Sequence, residues 1–326
     1  MTQTQDKTGQ TSRSTIGKLI IQYRTILILV ALMTVFSLLK PVFLNPLNLL
    51  AIIKNMSYVL IAGLGMTFII TLGGLDLSVG SIAAVVGVGF AMLIRGGFMP
   101  AIPALLIVMI GAMLLGFING FVSVKGKIEP FLVTLATMYI YRGIALMLTT
   151  GRPVPIVIAN FADLFGNGKL FNLVPSPAII SLIVLLVSWF LFRHTKFGFY
   201  VRSIGGNPEA ARVAGIDISR VKIAAYTMSG LFACISGLIL GALMNGGLPN
   251  VGSDLALDSI SGVILGGTAI SGGVGSIFGT LGGCLIMAVL NNGMSLMGAQ
   301  YHVQIFVKGL VIILAVLMDN AFKSRQ

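Results

Sequence analysis

The sequence predicts an all-α integral membrane protein, with about ten transmembrane helices in one bundle and both termini in the cytoplasm. Hydrophobic residues make up 56% of the 326 residues and charged residues only 9%, a composition that no water-exposed surface tolerates. Apolar runs of roughly 20 residues, the length that crosses about 30 Å of hydrocarbon as a helix, recur along the whole chain. One membrane domain therefore accounts for the sequence.

Gly, Pro and charged residues between the apolar runs give approximate bounds for the helices. The predicted spans are 25–44, 47–71, 79–97, 100–123, 130–149, 176–193, 222–245, 255–271, 277–298 and 302–319. The third and eighth are short and rich in glycine, so a count of eight or nine with re-entrant pieces also fits. The domain organisation is a cytoplasmic tail at 1–24, a transmembrane domain at 25–320 and a cytoplasmic tail at 321–326.

The basic residues indicate the orientation of the bundle. With the N-terminus inside, fourteen Lys and Arg fall in cytoplasmic segments and four fall on the opposite side. This bias follows the positive-inside rule and favours an even number of spans. The formal charge of +12 therefore reports orientation and not nucleic-acid binding. Two long loops result, an external one at 150–175 and a basic cytoplasmic one at 194–221.

The segment 206–215 carries the signals of a short, self-contained helix. Asn207 is a good N-cap, Pro208 suits the first helical position, and Glu209 complements the positive end of the helix dipole. Gly215 can close the helix in the left-handed conformation. Such a helix either shortens a loop or forms a rigid knob that docks to a partner.

Asp76 lies at a break between the second and third apolar runs, among glycines and serines. Its carboxylate could cap the following helix, or it could line a polar path for a hydroxylated solute. Ser78 and Ser81 share this ambiguity. The surrounding string 72–82 resembles the string 265–277, which suggests either an internal repeat or only a common Gly-rich packing pattern.

Polar residues inside the apolar runs are the other candidates for solute contacts. Amides could hydrogen-bond hydroxyl groups or join helices, the commoner use, and the candidates are Asn119, Asn291 and Asn292. Basic residues well inside the runs are costly, at least about 2.5 kcal/mol on insertion scales. Lys54 is expected to snorkel, Arg142 to face protein near an outer vestibule, and Lys308 lies in the same external half.

Four strings, in order, resemble the ribose, xylose, arabinose and allose permease family of ABC importers. They are GGLDLSVGS at 73–81, GGNPEAARVAGI at 205–216, VILGGTAISGGVGS at 263–276 and LNNGM at 290–294. The resemblance covers residues 25 to 320 and is greatest to ribose-type and allose-type permeases. Permeases for autoinducer-2 share the pattern, so the resemblance does not fix the solute.

The resemblance implies the membrane-spanning subunit of an ATP-driven importer for a simple sugar, located in the bacterial inner membrane. Implied partners are a second permease copy, cytoplasmic ABC ATPase subunits and an external, periplasmic sugar-binding protein. The family's cytoplasmic coupling helix matches Asn207, Pro208, Glu209, Ala210, Ala211, Arg212 and Gly215. No G-x-x-x-x-G-K-[ST] motif is present, so the chain is not expected to be an enzyme or to bind a cofactor, and the partner ATPase would use ATP and Mg²⁺.

Two other classes of protein are weighed against this one. An ion-coupled secondary transporter would normally carry an acid in the middle of a span, and Asp258 is the only candidate. A membrane-embedded enzyme would need a metal cluster or an activated nucleophile. His194 and His302 lie at opposite flanks of the membrane, so no metal or catalytic site is predicted.

Overall fold

The computed structural model describes residues 25–158, 160–170 and 173–323. Within them the chain is mainly helical. The helices are α1 Thr25–Leu39, α2 Pro46–Thr71, α3 Val79–Ile94, α4 Ala101–Gly126, α5 Pro130–Thr149, α6 Ser176–His194, α7 Lys196–Gly206, α8 Pro208–Val213, α9 Ile218–Leu243, α10 Leu255–Leu265, α11 Ile277–Leu296 and α12 Tyr301–Lys323.

Seven helices in the described residues are long and apolar enough to cross a membrane. They are α2, α3 with its 3₁₀ extension to Gly97, α4, α5, α6, α9 and α11. Shorter apolar helical segments cover Thr25–Leu39, Leu255–Leu265 and Tyr301–Leu314. The prediction of a mainly helical, multi-pass membrane protein is confirmed, although the described residues also contain four two-residue strands.

The predicted continuous span at 255–271 is wrong. Helix α10 has 11 residues, which reach only about 16 Å at 1.5 Å per residue, roughly half of the hydrocarbon thickness. It ends because Gly267 takes a left-handed conformation with φ of 92°. The chain then runs through an irregular segment, residues 266–276, before α11 begins.

The centre of the bundle is formed by α2 and α9. Residues 59–71 of α2 are all buried, as are residues 236–242 of α9. Helix α4 crosses α9 closely because Gly116 and Gly120 offer no side chains: a Cβ at Gly120 would lie 2.8 Å from the Ile223 Cα. The outer faces of α4 and α5 carry exposed apolar side chains, as expected of helices in contact with lipid.

The two similar strings at 72–82 and 265–277 share a local structure. After α2 and after α10, consecutive N–H groups bond back to carbonyls three and five residues earlier, and Gly73 and Gly267 have φ of 80° and 92°. Each string is thus a Schellman-type helix end followed by the start of a new helix. The backbone N–H of Gly273 also donates to the Thr71 carbonyl at 2.9 Å, so the two breaks are in contact.

The two long loops are both structured. In the loop predicted as external, β1 Val154–Pro155 pairs with β4 Gly246–Gly247 of the segment between α9 and α10. Within the same loop, β2 Lys169–Leu170 pairs with β3 Val174–Pro175. The loop predicted as cytoplasmic contains α8, as expected, and also α7, which was not predicted. Helix α7 is capped by Thr195, whose Oγ1 accepts from the Gly198 N–H at 3.4 Å.

Candidate functional site

Asp76 belongs to a buried hydrogen-bond network that joins four helices. Its Oδ1 accepts from the N–H and hydroxyl of Ser78 at 2.9 and 2.6 Å, and its Oδ2 accepts from the Ser229 hydroxyl at 2.9 Å. The Asn119 amide donates to Ser78 Oγ at 2.7 Å, and the Tyr141 hydroxyl donates to Asn119 Oδ1 at 3.0 Å. The network links the start of α3 to α4, α5 and α9.

The candidate pathway residues Asp76, Ser78 and Asn119 are thus brought together, and all three are fully buried. The bond from Ser78 N–H to Asp76 is an Asx turn that leads into α3, which corresponds to the structural alternative considered for this carboxylate. Buried Ser81 has a hydroxyl with no hydrogen-bond partner among the described residues. In this conformation a solute would reach the network only if the surrounding helices separate.

Arg142 faces protein, as predicted. Its guanidinium donates to the carbonyls of Pro249 and Val251 at 2.5 and 2.8 Å. These carbonyls lie in the loop between α9 and α10. The Arg142 side chain therefore links that loop to α5 through two hydrogen bonds.

Lys308 forms an ion cluster at the junction of α10, α11 and α12. Its ammonium group lies 3.1 Å from a carboxylate oxygen of Asp254 and 3.1 Å from one of Asp258, and only 12% of its side chain is exposed. The Asn291 amide donates to Asp258 at 3.2 Å, and the Tyr301 hydroxyl donates to Asp254 at 3.2 Å. The cluster contains two acids and one base within a largely buried environment.

Asn292, although adjacent to Asn291, faces a different helix. It exchanges two amide hydrogen bonds with Asn48 of α2, at 2.8 and 3.0 Å. This is the helix-joining use of an amide. Lys54, on the same helix as Asn48, donates to the Asn167 side chain at 3.2 Å in the loop predicted as external.

Helix α8 has the predicted geometry. Asn207 Oδ1 accepts from the Ala210 N–H at 3.0 Å, Pro208 occupies the first turn, and Gly215 closes the segment with φ of 81°. Glu209 and Arg212 form an exposed ion pair at 3.1 Å. Ala211 packs against the protein, whereas Ala210 and Val213 lie on the exposed side of the helix, and Val213 is 89% exposed. The result is a rigid, capped knob.

Helix α7 joins this knob to the transmembrane bundle. A Cβ at Gly205 would overlap the carbonyl oxygen of Thr71, the last residue of α2, and would crowd the backbone of Gly273. Gly273 is itself hydrogen-bonded to Thr71. Gly206, the next residue, has nothing within 4 Å of its Cβ position. At Gly205 the end of α7 therefore contacts both helix breaks, one after α2 and one after α10, through backbone atoms.

Comparisons with known proteins identify the protein class to which this arrangement belongs. Residues 48–316 match the family described as "Branched-chain amino acid transport system / permease component". The ribose import permease protein RbsC of Haemophilus influenzae is 36% identical over 98% of this chain and 99% of its own length. The chain belongs to the sugar permease family of ABC importers. The predicted resemblance is confirmed.

Two further relatives agree with this membership. The ribose import permease protein RbsC of Bacillus subtilis is 41% identical over 89% of each chain. The D-allose transport system permease protein AlsC of Escherichia coli is 34% identical over 92% of this chain and 91% of its own length. No solved structure matches the chain at a significant level. The permease is a multi-pass protein of the bacterial inner membrane.

Two structural features of this permease were not predicted from the sequence. One is the pairing of Lys308 with Asp254 and Asp258, for which the only signal was three charges in apolar surroundings. The other is α7, whose signals were the Thr195 cap and the apolar side chains at helical spacing after it. In the described part of the chain, no group of three or more His, Cys, Asp or Glu could hold a metal ion.

An Asp76→Asn variant is expected to reduce the transport rate several-fold while changing the free energy of unfolding by less than about 1.5 kcal/mol. The amide oxygen can still accept both bonds from Ser78, and the Ser229 hydroxyl can rotate to accept from the new NH₂ group, so the network persists without its charge. Uptake and membrane abundance are measured together.

An Asp76→Leu variant is the control, because it removes every acceptor and leaves the donors of Ser78 and Ser229 unpaired, at about 1–3 kcal/mol each. Its abundance should fall. If Asp76→Asn lost abundance and transport in parallel, the carboxylate would be only a structural cap, and the pathway would not include it.

Proposed function

We propose that this chain is the membrane-spanning subunit of an ATP-driven ABC importer that carries ribose or a closely related monosaccharide. The observation that supports this best is a match of 36% identity over 98% of the chain and 99% of a ribose import permease. The allose relative extends the solute class to hexoses of similar chemistry. A neutral sugar is bound through hydrogen bonds to its hydroxyl groups, and the network of Asp76, Asn119 and Tyr141 contains both donors and acceptors.

Two alternatives, the import of autoinducer-2 and ion-coupled transport, are less favoured. The relatives named above are permeases for ribose and allose and not for autoinducer-2. An ion-coupled mechanism would normally use an acid within a span. Asp258, the acid considered for this role, is paired with Lys308 at 3.1 Å, which disfavours it as a proton or sodium carrier.

The proposed topology has about ten membrane-embedded helices, with α10 as a half-length member, and both termini in the cytoplasm. The transmembrane domain spans 25–320 and the tails are 1–24 and 321–326. Support comes from the charge bias and from the placement of α7 and α8, whose basic residues all lie at one end of α6 and α9.

Cysteines introduced one at a time test this topology. Thiol labelling with a membrane-impermeant reagent should reach position 213 only from the cytoplasmic side and position 164 only from outside, and both side chains are well exposed. Labelling of position 213 in intact cells would overturn the proposed orientation.

The same placement supports the proposed partners. An ABC ATPase subunit would dock on α8 from the cytoplasm and would use ATP and Mg²⁺, so this chain is a transport subunit without its own hydrolytic site. A periplasmic sugar-binding protein would meet the external loop at 150–175. A second permease copy would complete the pathway. Asp76, Ser78 and Asn119 would lie on this path. The side chains of Arg142, Asn291 and Asn292 would hold the surrounding helices and loops in place.

Two substitutions in α8 test the coupling role. Gly215→Val forces a β-branched residue to φ of 81°, and Glu209→Lys reverses a charge on the exposed face. Both variants should insert normally and bind the sugar-binding protein, yet lose at least about tenfold in sugar-stimulated ATP hydrolysis or in co-purified ATPase, the effect expected of removing contacts worth about 1.4 kcal/mol or more.

Gly206→Ala is the matched control, because it adds one methyl group beside α8 where nothing lies within 4 Å. It should behave as wild type. Full sugar-stimulated hydrolysis by both α8 variants would mean that Asn207 through Gly215 form only a connection, and the coupling assignment would be withdrawn.

A further inference from the structure

A small polar pocket lies where the C-terminal end of α6, helix α7 and the N-terminal end of α11 meet. Its volume is about 210 Å³, and its walls include Trp189, Phe192, Arg193, Arg202, Ser276 and Phe278. Because α6 and α11 are both long enough to cross the membrane, their ends lie at the depth of the lipid headgroups. None of the residues discussed as the solute pathway or the coupling helix lines this pocket.

The two arginines give the pocket its charge. The Arg202 guanidinium lies 4.9 Å above the Phe192 ring and donates one hydrogen bond to the Phe192 carbonyl, which holds the group in place. Burial and the nearby positive charge of Arg193 lower the pKa of Arg202 from its usual value. No acid lines the pocket, and neither arginine forms an ion pair within the described ranges. Two like charges are thus held together without a counter-ion from these residues.

The neighbouring aromatic side chains are exposed toward the membrane. Trp189 and Phe278 are 38% and 54% exposed, and their ring centroids are 6.3 Å apart at the edge of the pocket. An aromatic pair beside a basic pocket at the end of spanning helices is typical of the membrane interface. Basic pockets between transmembrane helices bind anionic headgroups.

We propose that this pocket binds a phosphate group, supplied by the headgroup of an anionic membrane lipid. A guanidinium group can donate two parallel hydrogen bonds to the oxygens of one phosphate group. The N–H groups of Arg202 that do not bond to Phe192, and all those of Arg193, are available for such bonds. At about 210 Å³ the pocket is smaller than the usual 300–1,000 Å³ of a site for a whole organic ligand, so it suits a phosphate with its glycerol arm and excludes a nucleotide.

The bound headgroup would bridge α7 to α11. Arg202 belongs to α7, the helix that joins α8 to the ends of α2 and α10, whereas Ser276 and Phe278 belong to the start of α11. Occupancy would therefore fix α7 at the surface of the bundle. The inference does not depend on which solute the permease carries.

Arg193→Gln is the variant of choice, since Arg193 is exposed and removing its charge leaves the Arg202 bond to Phe192 intact. Lys196→Gln is the matched control, because it removes an exposed positive charge nearby that does not line the pocket. Each protein is placed in nanodiscs of phosphatidylcholine with or without phosphatidylglycerol, and bound phosphatidylglycerol is counted by native mass spectrometry.

Wild type and Lys196→Gln should retain phosphatidylglycerol, whereas Arg193→Gln should bind it about tenfold more weakly, the effect of losing a charge-assisted contact. Inorganic phosphate is added to detergent-purified protein in a separate arm. Thermal protection by phosphate that depends on Arg193 supports the phosphate site, and absence of lipid retention beside such protection would overturn the lipid as its source. Equal lipid retention by wild type and Arg193→Gln, or equal loss in both variants, would overturn the pocket.

Discussion

A Lys308→Met variant should accumulate in the membrane at a small fraction of the wild-type level. The substitution removes the only cation within 3.1 Å of Asp254 and Asp258 in the described structure, and Asp258 has just 9% of its side chain exposed. Breaking one partner of a buried ion pair costs about 3–5 kcal/mol, which is a large part of the stability of a typical domain. Abundance by immunoblot and the thermal midpoint in detergent are the measurements.

Two further variants distinguish charge from packing at this position. Lys308→Arg keeps the positive charge and should retain most of the stability. The double variant Lys308→Met with Asp258→Asn removes the uncompensated buried charge and should recover a large part of what Lys308→Met loses. If Lys308→Met were as abundant as wild type, the cluster would not hold α12 against α10.

Gly205→Ala is expected to lower sugar-dependent ATP hydrolysis by more than about tenfold. A methyl group there would overlap the Thr71 carbonyl oxygen, which belongs to backbone and cannot rotate away. Helix α7 would have to move off the ends of α2 and α10, and forced overpacking of this kind costs about 1–3 kcal/mol. Because α7 carries α8, the knob would be displaced while every span remained intact.

Gly206→Ala again provides the control, because its Cβ position is empty within 4 Å. It should hydrolyse ATP and transport as wild type does. Reconstituted hydrolysis with and without loaded binding protein is the measurement. Normal stimulation in Gly205→Ala would mean that the close contact of Gly205 with Thr71 and Gly273 is not needed to hold α8 in its coupling position.

The parts of the structure that depend on local signals could be predicted from the sequence. Asn207, Pro208 and Gly215 specify α8 because caps act within one turn of backbone, and the structure shows each in its expected place. The similar strings at 72–82 and 265–277 likewise share their helix-end geometry. The amino-acid composition alone was sufficient to predict that the protein lies in a membrane.

Features that depend on contacts distant in sequence could not be predicted. Lys308 and Asp258 are 50 residues apart in the sequence, and this separation gives no sign that the two side chains pair. The early end of α10 depends on Gly267 taking a left-handed conformation, whereas glycine within an apolar run is also common in spanning helices. The sequence suggested Asp76 as a cap or a pathway residue, and only the fold shows that Ser229 and Asn119 enclose it.

Uptake of labelled ribose into proteoliposomes tests the central claim most directly. The purified permease is reconstituted with its ATPase and supplied with its sugar-binding protein, and ATP is added on the side of α8. If this claim is correct, ribose accumulates only when all three proteins are present and ATP is hydrolysed, and accumulation is lost in Gly215→Val. Ribose uptake by this chain alone, driven by an ion gradient and indifferent to ATP, would contradict it.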